Sequence, residues 1–247
     1  MSGPKLLTLD AGNTRLKWGV AQDERWLVQD ALPLQNIVTL PGLLPDRPDL
    51  AVIANVAGDD VAQALQDVVA ALAGPACWVT ARRQQCGITS AYDDPEQLGA
   101  DRWAALIGAW YLHRGPSLVV NSGTATTIDV LDANGVFQGG LILPGLELMH
   151  TSLARNTAQL KQQPGSVRAL PHNTADAIAS GCLQAQLGAV QRMFRHLGDD
   201  PAAQCLISGG AGRILFEHID LPRRLVPNLV LEGLARIGME ALAGRGA

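Results

Sequence analysis

The first forty positions alternate between apolar and polar residues in a way that predicts three β-strands joined by short polar turns. Leu6–Leu9 is mostly apolar, Leu16, Trp18 and Val20 recur at every second position, and Trp26–Val28 is apolar again. Further along, the pattern predicts a mixture of strands and helices. The strands are expected at 51–56 and 77–80, and the helices at 61–72 and 98–113.

The second half of the chain opens with the same order of elements. Strands are predicted at 118–120, 127–131 and 136–143, followed by helices at 146–158 and 174–197. A strand at 205–207, a glycine-rich turn at 208–212, a helix from Ile214, a strand at 225–226 and a last helix to Ala241 complete the prediction. Superposing the two halves places Asp10 over Asn121 and Gly12 over Gly123.

This repetition favours two copies of one α/β fold over a chance likeness between β-hairpins. Each copy has a glycine turn after its first strand, which predicts two duplicated actin-like or sugar-kinase-like (ribonuclease H-like) lobes around a nucleotide cleft. Proline and glycine at Gly115-Pro116 mark the expected boundary. We therefore expect an N-terminal lobe at 1–115 and a C-terminal lobe at 116–247.

Composition and charge narrow the classes of protein that the chain can represent. With 247 residues, 47% hydrophobic and 17% charged, the chain can bury a core and is not of the disordered type. A net charge of −4 argues against a nucleic-acid partner. Lysine is rare, since only Lys5, Lys17 and Lys161 occur among the 19 basic residues, so each lysine invites a specific explanation.

The remaining compositional features favour a cytoplasmic protein without a membrane partner. The N-terminal segment lacks the pattern of a signal peptide, and the apolar stretch at 103–112 is too short to cross a bilayer. The four cysteines, Cys77, Cys86, Cys182 and Cys205, fall in no CxxC or Cys/His arrangement. Neither a zinc site nor a disulfide framework is indicated.

The segment Asp10–Lys17 links the first two predicted strands and carries candidate phosphate-binding groups. Gly12 lets the backbone approach a ligand closely, and the N–H groups of such a turn can form a nest for an anion. Asp10 can hold Mg²⁺ directly or through water, while Lys17 can point a compact ammonium at the same phosphates. The alternative is a purely structural hairpin in which Asp10 and Asn13 cap their own turn.

The corresponding segment of the second half, Asn121–Thr127, is rich in hydroxyl groups around Gly123. Two such loops can clamp a polyphosphate from both sides, and Thr124, in the turn itself, is the better candidate for phosphate contact. A third loop, Ser208–Gly212, can pass under an adenosine. The sequence contains no GxxxxGK followed by Ser or Thr, which excludes a P-loop, and the third loop lacks the last glycine of GxGxxG.

A fourth segment, Gly99–Arg102, begins a predicted helix. Asp101 in the first turn favours the helix dipole, but beside a phosphate clamp the same carboxylate can accept a proton from an attacking hydroxyl. Arg102 can bind the anionic end of a substrate. Tyr92 lies upstream in a loop, where binding residues are often found.

Taken together, these motifs resemble the type III pantothenate kinases, also named the Bvg accessory factor family, over essentially the whole chain. The matching segments are DxGNTxxK at Asp10–Lys17, GADR at Gly99–Arg102, GTATT at Gly123–Thr127, Gly139-Gly140, Pro144-Gly145, an NT…G element at Asn173-Thr174 and Gly181, and SGG at Ser208–Gly210. Several medium motifs in one order are far more specific than any one alone.

The resemblance implies a role for each matching residue. Asp101 would be the catalytic base, and Asp10 would bind the Mg²⁺ that accompanies ATP. The implied ATP-binding residues are Asp10, Ala11, Gly12, Asn13, Thr14, Arg15, Leu16, Lys17 and Thr124. The implied pantothenate-binding residues are Tyr92, Gly99, Ala100, Asp101, Arg102 and Thr174. The family is dimeric, with Thr174 reaching the pocket from the partner chain.

One position departs from the family pattern. The family needs a monovalent cation, K⁺ or NH₄⁺, held by an aspartate where this chain has Asn121. A neutral amide is a weaker cation ligand than a carboxylate, so we expect reduced or absent K⁺ dependence.

The reaction implied is the ATP-dependent phosphorylation of pantothenate to 4′-phosphopantothenate, the first step of coenzyme A synthesis. Two alternatives remain open at this point. One is a kinase of the same fold that acts on a sugar or another small hydroxyl substrate. The other is a regulatory or accessory protein of the same fold, as the second name of the family suggests.

Overall fold

The computed structural model describes residues 3–72, 74–156 and 164–244. In chain order, the elements of the first half are β1 (Leu6–Ala11), β2 (Arg15–Gln22), β3 (Arg25–Pro33), β4 (Leu50–Asn55), α1 (Asp59–Ala71), β5 (Ala76–Trp78), β6 (Gln84–Gln85), β7 (Ile88–Ser90) and α2 (Ala100–Leu112). Those of the second half are β8 (Ser117–Ser122), β9 (Ala125–Leu131), β10 (Val136–Pro144), α3 (Leu146–Asn156), α4 (Thr174–Phe194), β11 (Gln204–Ser208), α5 (Gly212–His218), β12 (Arg223–Leu225) and α6 (Leu229–Ala243). Short 3₁₀ helices occur at Leu34–Leu43, Pro95–Gln97 and Arg195–Leu197.

The chain forms two compact units. The first comprises the chain up to Arg114, the segment Gly135–Phe137 and the chain from Asn228 onward. The second comprises Gly115–Asn134 and Gln138–Pro227. The mixed α/β fold class is confirmed, and the break after Arg114 lies next to the predicted boundary at Gly115-Pro116.

The first unit is built on a five-stranded sheet with the strand order β3-β2-β1-β4-β5. Strand β1 pairs antiparallel with β2 and parallel with β4. Asp23 and Glu24 both adopt positive φ in the tight turn between β2 and β3, as a type I′ turn requires. Leu7, Leu9 and Trp18 belong to a buried apolar cluster that also includes residues of α1, so burial on this face fixes the sheet.

The second unit repeats that sheet. Its strands lie in the order β10-β9-β8-β11-β12, with β8 antiparallel to β9 and parallel to β11. In both units the first three strands form a meander, the fourth strand lies beside the first, and the fifth lies beside the fourth. Its core joins β8, β9 and β11 to residues of α4, such as Leu183 and Val190. The predicted duplication is therefore present in the strand order itself.

The C-terminal helix departs from the predicted division into 1–115 and 116–247, because α6 belongs to the first unit. It packs on α2 through two glycines. A Cβ on Gly108 would lie 2.5 Å from the Leu229 carbonyl oxygen, and a Cβ on Gly233 would overlap the Ala104 carbonyl group. The close helix approach depends on the absence of both side chains.

Two further differences concern helix ends and short segments. The predicted end of the third helix at Ala158 lies outside the described residues, and α3 is described to Asn156. The 3₁₀ helix Leu34–Leu43 and the hairpin of β6 and β7 had no counterpart in the sequence pattern. The strands of the hairpin are too short to show a clear hydrophobic period, and the apolar residues of the 3₁₀ helix are too irregularly spaced.

Candidate functional site

The first hairpin of the first unit holds the segment Asp10–Lys17. Asp10 lies directly across from Lys17 in the β1–β2 ladder, and Ala11 lies across from Leu16. The turn closes when the Gly12 N–H donates a hydrogen bond to the Arg15 carbonyl oxygen over 3.2 Å. The side chains of Ala11 and Leu16 are fully buried, so these two residues can offer a ligand only their backbone groups.

Asp10 is a buried carboxyl group, with only 8% of its surface exposed. Burial raises its pKa from 3.8 to about 7, while the positive charge of Lys17 lowers that pKa and the nearby Asp101 carboxylate raises it. A buried carboxylate that interacts with a second carboxylate favours a bound cation, because the cation offsets both unfavourable terms. Asp10 therefore fits a divalent cation better than it fits a purely structural turn.

Asp101 lies in the first turn of α2, and its carboxylate interacts electrostatically with that of Asp10. Burial raises the pKa of Asp101. Two weaker effects lower it: the hydrogen bond that the Arg102 backbone N–H donates to Oδ1 over 2.8 Å, and the positive charge of Arg102. Gly99 leaves room for this carboxylate, since a Cβ on Gly99 would lie 2.7 Å from Oδ1 of Asp101. The structure thus brings two acidic groups and Lys17 into one region of the first unit.

Within the described residues, no group of three or more His, Cys, Asp or Glu side chains could enclose a metal ion. A magnesium ion bound with ATP does not need such a group, because it is usually held by one or two protein carboxylates together with phosphate oxygens. Asp10 is a buried carboxyl group that could hold such an ion.

Tyr92 and Arg102 form an aromatic and cationic cluster with a residue that the sequence analysis did not identify, Phe137. The rings of Tyr92 and Phe137 have centroids 5.0 Å apart, and the Arg102 guanidinium lies 5.9 Å from the Phe137 centroid. Arg102 Nη1 also donates a hydrogen bond of 3.4 Å to the Tyr92 hydroxyl. Phe137 enters the first unit because Val136–Phe137 pairs with β7.

The second hairpin presents Asn121 and Thr124 in the second unit. Asn121 lies across from Thr127 in β9 and beside Ser208 in β11. The Gly123 N–H donates to the Ala125 carbonyl oxygen over 2.9 Å, and the Gly145 N–H donates to that of Thr124 over 2.8 Å. A Cβ on Gly145 would overlap this turn, so the Pro144-Gly145 motif packs tightly against the loop.

The third predicted loop, at 208–212, packs on the second hairpin. Gly209 has a φ of +92°, and a Cβ there would overlap the backbone of Ser122. The Ala211 N–H donates to the Ser122 carbonyl oxygen over 3.0 Å. The glycine is required here both by its positive φ and by the close approach of two chain segments.

Thr174 is the first residue of α4 and is exposed. The Asn173 side chain caps this helix by accepting a hydrogen bond of 2.9 Å from the Asp176 backbone N–H. Thr174 lines an open apolar groove of about 820 Å³ between α3 and α4, to which Leu148 and Ile178 also contribute. Tyr92, Gly99, Ala100, Asp101 and Arg102 belong to the first unit, whereas Thr174 belongs to the second.

Two further observations concern membrane-spanning helices and the state of the cysteines. Among the described helices, none is long and apolar enough to cross a membrane. Cys77, Cys86, Cys182 and Cys205 are free thiols.

The fold is shared with solved structures of low sequence identity. A putative Baf family transcriptional activator from Campylobacter jejuni matches with a TM-score of 0.64 and 19% identity, over 96% of this chain and 99% of that one. A putative 2-dehydro-3-deoxygalactonokinase from Sinorhizobium meliloti matches with a TM-score of 0.60 and 14% identity, over the same shares. With its two-sheet architecture, the chain has the actin-like, sugar-kinase-like fold.

Sequence comparison then identifies the family. The family model for type III pantothenate kinase matches residues 6–196. The type III pantothenate kinase of Aromatoleum aromaticum is 49% identical over 96% of this chain and 99% of its own length. That of Dechloromonas aromatica is 43% identical over 96% of this chain and 100% of its own length. The chain belongs to the type III pantothenate kinase family, as the resemblance of its motifs predicted.

Proposed function

We propose that the protein transfers the γ-phosphoryl group of ATP to pantothenate, giving 4′-phosphopantothenate and ADP. One observation carries the assignment of the chemistry to this site: two buried or half-buried carboxyl groups, Asp10 and Asp101, interact in the first unit beside Lys17. Membership in the family supports pantothenate as the acceptor.

In this proposal Asp101 is the general base. Its carboxylate orients the primary hydroxyl of pantothenate and takes up its proton as the oxygen attacks the γ-phosphorus. Because burial raises the pKa of Asp101, its carboxylate is a stronger proton acceptor than an exposed aspartate. General-base assistance of this kind typically contributes about 10²–10⁴-fold in rate.

The phosphates of ATP are the ligands we assign to the first hairpin and to Thr124. The Lys17 ammonium and the N–H groups of the turn at Gly12–Arg15 neutralise the charge that develops on the phosphoryl oxygens. Asp10 would hold the Mg²⁺ that accompanies ATP, directly or through water, and the bound ion would supply charge neutralisation. Phosphoryl transfer requires mainly such positioning and electrostatic stabilisation from the protein.

Pantothenate contacts are assigned to Tyr92, Gly99, Ala100, Asp101 and Arg102 of one chain and to Thr174 of a second copy. The groove beside Thr174 supports this homodimer, because Leu148 and Leu153, both partly exposed, line it together with Ile178. Exposed apolar side chains grouped along a groove are one feature of protein–protein interfaces.

Mixing two inactive variants tests the dimer. Asp101→Asn and a bulky Thr174→Arg variant are each expected to be inactive alone. If Thr174 acts on the partner's site, random heterodimers contain one intact site and recover about a quarter of the wild-type activity. No recovery after verified subunit exchange would contradict a shared site.

The monovalent-cation requirement is the part of the proposal in which this chain departs from its family. Asn121 offers a neutral amide oxygen and lies beside Thr127 and Ser208 in the neighbouring strands. We propose that K⁺ or NH₄⁺ stimulates this enzyme weakly or not at all. Titrating K⁺ in a Tris-buffered assay tests this, and a strict requirement would contradict it.

Substrate competition tests the central assignment. Phosphate transfer from ATP is measured with pantothenate and with a panel of sugars and small hydroxy acids at equal concentration. We expect transfer to pantothenate alone. Preferred transfer to a sugar would support a different kinase of the same fold.

A further inference from the structure

The loop Ser90–Asp93 carries Tyr92, and its backbone is held by one arginine that the proposed mechanism does not use. Arg83 Nη1 donates hydrogen bonds to the carbonyl oxygens of Ser90, at 2.7 Å, and of Tyr92, at 2.8 Å. Arg83 Nη2 donates to the carbonyl oxygen of Asp93 at 3.0 Å. A single guanidinium therefore binds three carbonyl groups of one four-residue loop.

This contact set requires the geometry of arginine. The guanidinium carries five N–H donors in a rigid planar fork, which can meet several carbonyl oxygens that face it. Lysine has the same charge but a single nitrogen on a flexible stem, so it cannot span the three carbonyls with the same geometry. The adjacent Arg82 is also exposed but makes none of these contacts with the loop.

The position of the Tyr92 side chain depends on this loop. The Tyr92 ring contacts Phe137, and its hydroxyl accepts the hydrogen bond from Arg102. On the other side of the loop, the Ala91 N–H donates to the Phe137 carbonyl oxygen over 2.9 Å. Arg83 and β10 thus hold the loop from two directions, and a displaced loop would move Tyr92 relative to Arg102.

We propose that Arg83 is a positioning residue for the acceptor substrate, acting through the Ser90–Asp93 loop to set the place of Tyr92. This role rests on the proposed function, in which Tyr92 contacts pantothenate. Because Arg83 is exposed and two of its three hydrogen bonds are open to solvent, water competes for most of these contacts and they add little to global stability. Its loss changes substrate binding more than it changes folding.

The rival explanation is direct electrostatic attraction between Arg83 and the pantothenate carboxylate. The two explanations differ for Arg83→Lys. Positive charge is retained in that variant, so direct attraction would keep pantothenate binding near normal. Loss of the fork geometry removes the carbonyl contacts, so the positioning role predicts a defect close to that of Arg83→Gln.

The kinetic test compares Arg83→Gln, Arg83→Lys and the matched control Arg82→Gln in the purified full-length protein. For both Arg83 variants we expect the pantothenate KM to rise about tenfold, with kcat and the ATP KM changed less than about threefold. The melting temperature is expected to change little, and Arg82→Gln is expected to behave as wild type. Wild-type values for Arg83→Lys, or an equal defect in Arg82→Gln, would overturn the proposal.

A double-mutant cycle shows whether Arg83 acts through Tyr92. If it does, Arg83→Gln adds little to the rise in pantothenate KM already caused by Tyr92→Ala, so the two effects are not multiplicative. Fully multiplicative effects would overturn the proposal. Failure of the wild-type protein to phosphorylate pantothenate would instead overturn the proposed function, and this role with it.

Hydrogen exchange provides a readout that needs no activity. In Arg83→Gln we expect the backbone amides of the segment 88–94 to exchange faster, while the strands β1 and β8 exchange as in wild type. Unchanged exchange in the segment would overturn the proposal even if the KM rises.

Discussion

The two hairpins that open the two units share a backbone plan but differ in charge. In each hairpin a glycine turn joins the two strands, and the first strand pairs with a parallel fourth strand, β4 in one unit and β11 in the other. The first hairpin pairs Asp10 with Lys17, whereas the second pairs Asn121 with Thr127. The two copies therefore share a strand order, while an oppositely charged pair beside the glycine turn occurs only in the first.

The difference in charge comes with a difference in turn length. Four residues, Gly12–Arg15, separate the closing pair Ala11 and Leu16 of the first hairpin. Three residues, Gly123–Ala125, separate the closing pair Ser122 and Thr126 of the second. Because the second turn is shorter, Thr127 lies opposite Asn121. The residue that aligns with Lys17 when the two halves are superposed does not occupy this position.

Beside the turn of the second hairpin, three buried neutral side chains form a hydrogen-bonded network. Ser122 and Thr126 hydroxyls lie 3.2 Å apart, and Thr126 donates to the Gln186 side chain over 3.0 Å. Gln186 in turn donates to the Pro144 carbonyl oxygen over 2.9 Å. Such a closed network stabilises the fold, whereas the buried carboxyl of Asp10 destabilises it unless a cation binds.

The largest effect is expected when the first hairpin is made as neutral as the second. Asp10→Asn removes the carboxylate assigned to Mg²⁺, and we expect kcat/KM for ATP to fall by about 10³-fold or more. Steady-state kinetics across a range of Mg²⁺ concentrations measures this. Activity within tenfold of wild type would show that Asp10 has no such role.

A second large effect concerns the lysine across the ladder. Lys17→Ala is expected to raise the ATP KM by about 10–100-fold, because the ammonium no longer meets the phosphates. Lys5→Ala is the matched control, since Lys5 is paired with Asp46 at 2.5 Å. Equal effects of the two substitutions would contradict a specific role for Lys17.

The same Asp10→Asn substitution is expected to stabilise the ligand-free protein. The pKa of Asp10 is raised to about 7 in the folded state, so wild-type stability is full below about pH 4 and declines as the pH rises through about 7. The variant has no such loss, so its stability advantage over wild type should grow between about pH 4 and pH 7 to about 4 kcal/mol. Urea unfolding at pH 4, 6 and 8 measures it, and an equal or lower stability at pH 8 would count against burial of the charge.

The smallest effect is expected in the second hairpin. Asn121→Asp supplies the carboxylate that the family pattern has at this position, so we expect K⁺ to stimulate the variant several-fold more than it stimulates wild type. Activity titrations with K⁺, with Na⁺ as the control, measure this. Identical K⁺ responses of the two proteins would show that the side chain at this position does not determine cation dependence.

Much of the fold was predictable because the duplication is visible in the sequence: both halves show the same order of hydrophobic patterns and a glycine turn after the first strand. The assignment of α6 to the first unit was not predicted, since its contact with α2 rests on Gly108 and Gly233, which are distant in sequence. The segments that the sequence motifs singled out bring Asp10 and Asp101 into electrostatic interaction, and the roles assigned to these two residues stay predictions. Phe137 and Arg83 were missed because their roles arise only from contacts with the Tyr92 loop.

The central claim is that this kinase uses Asp101 of the first unit to activate pantothenate. The most direct measurement is pantothenate-dependent ADP formation, with and without K⁺, by wild type and by Asp101→Asn, together with calorimetric titration of ATP. We expect turnover by wild type, a loss of about 10²–10⁴-fold in the variant, and unchanged ATP affinity. Near-normal turnover by Asp101→Asn would contradict the claim.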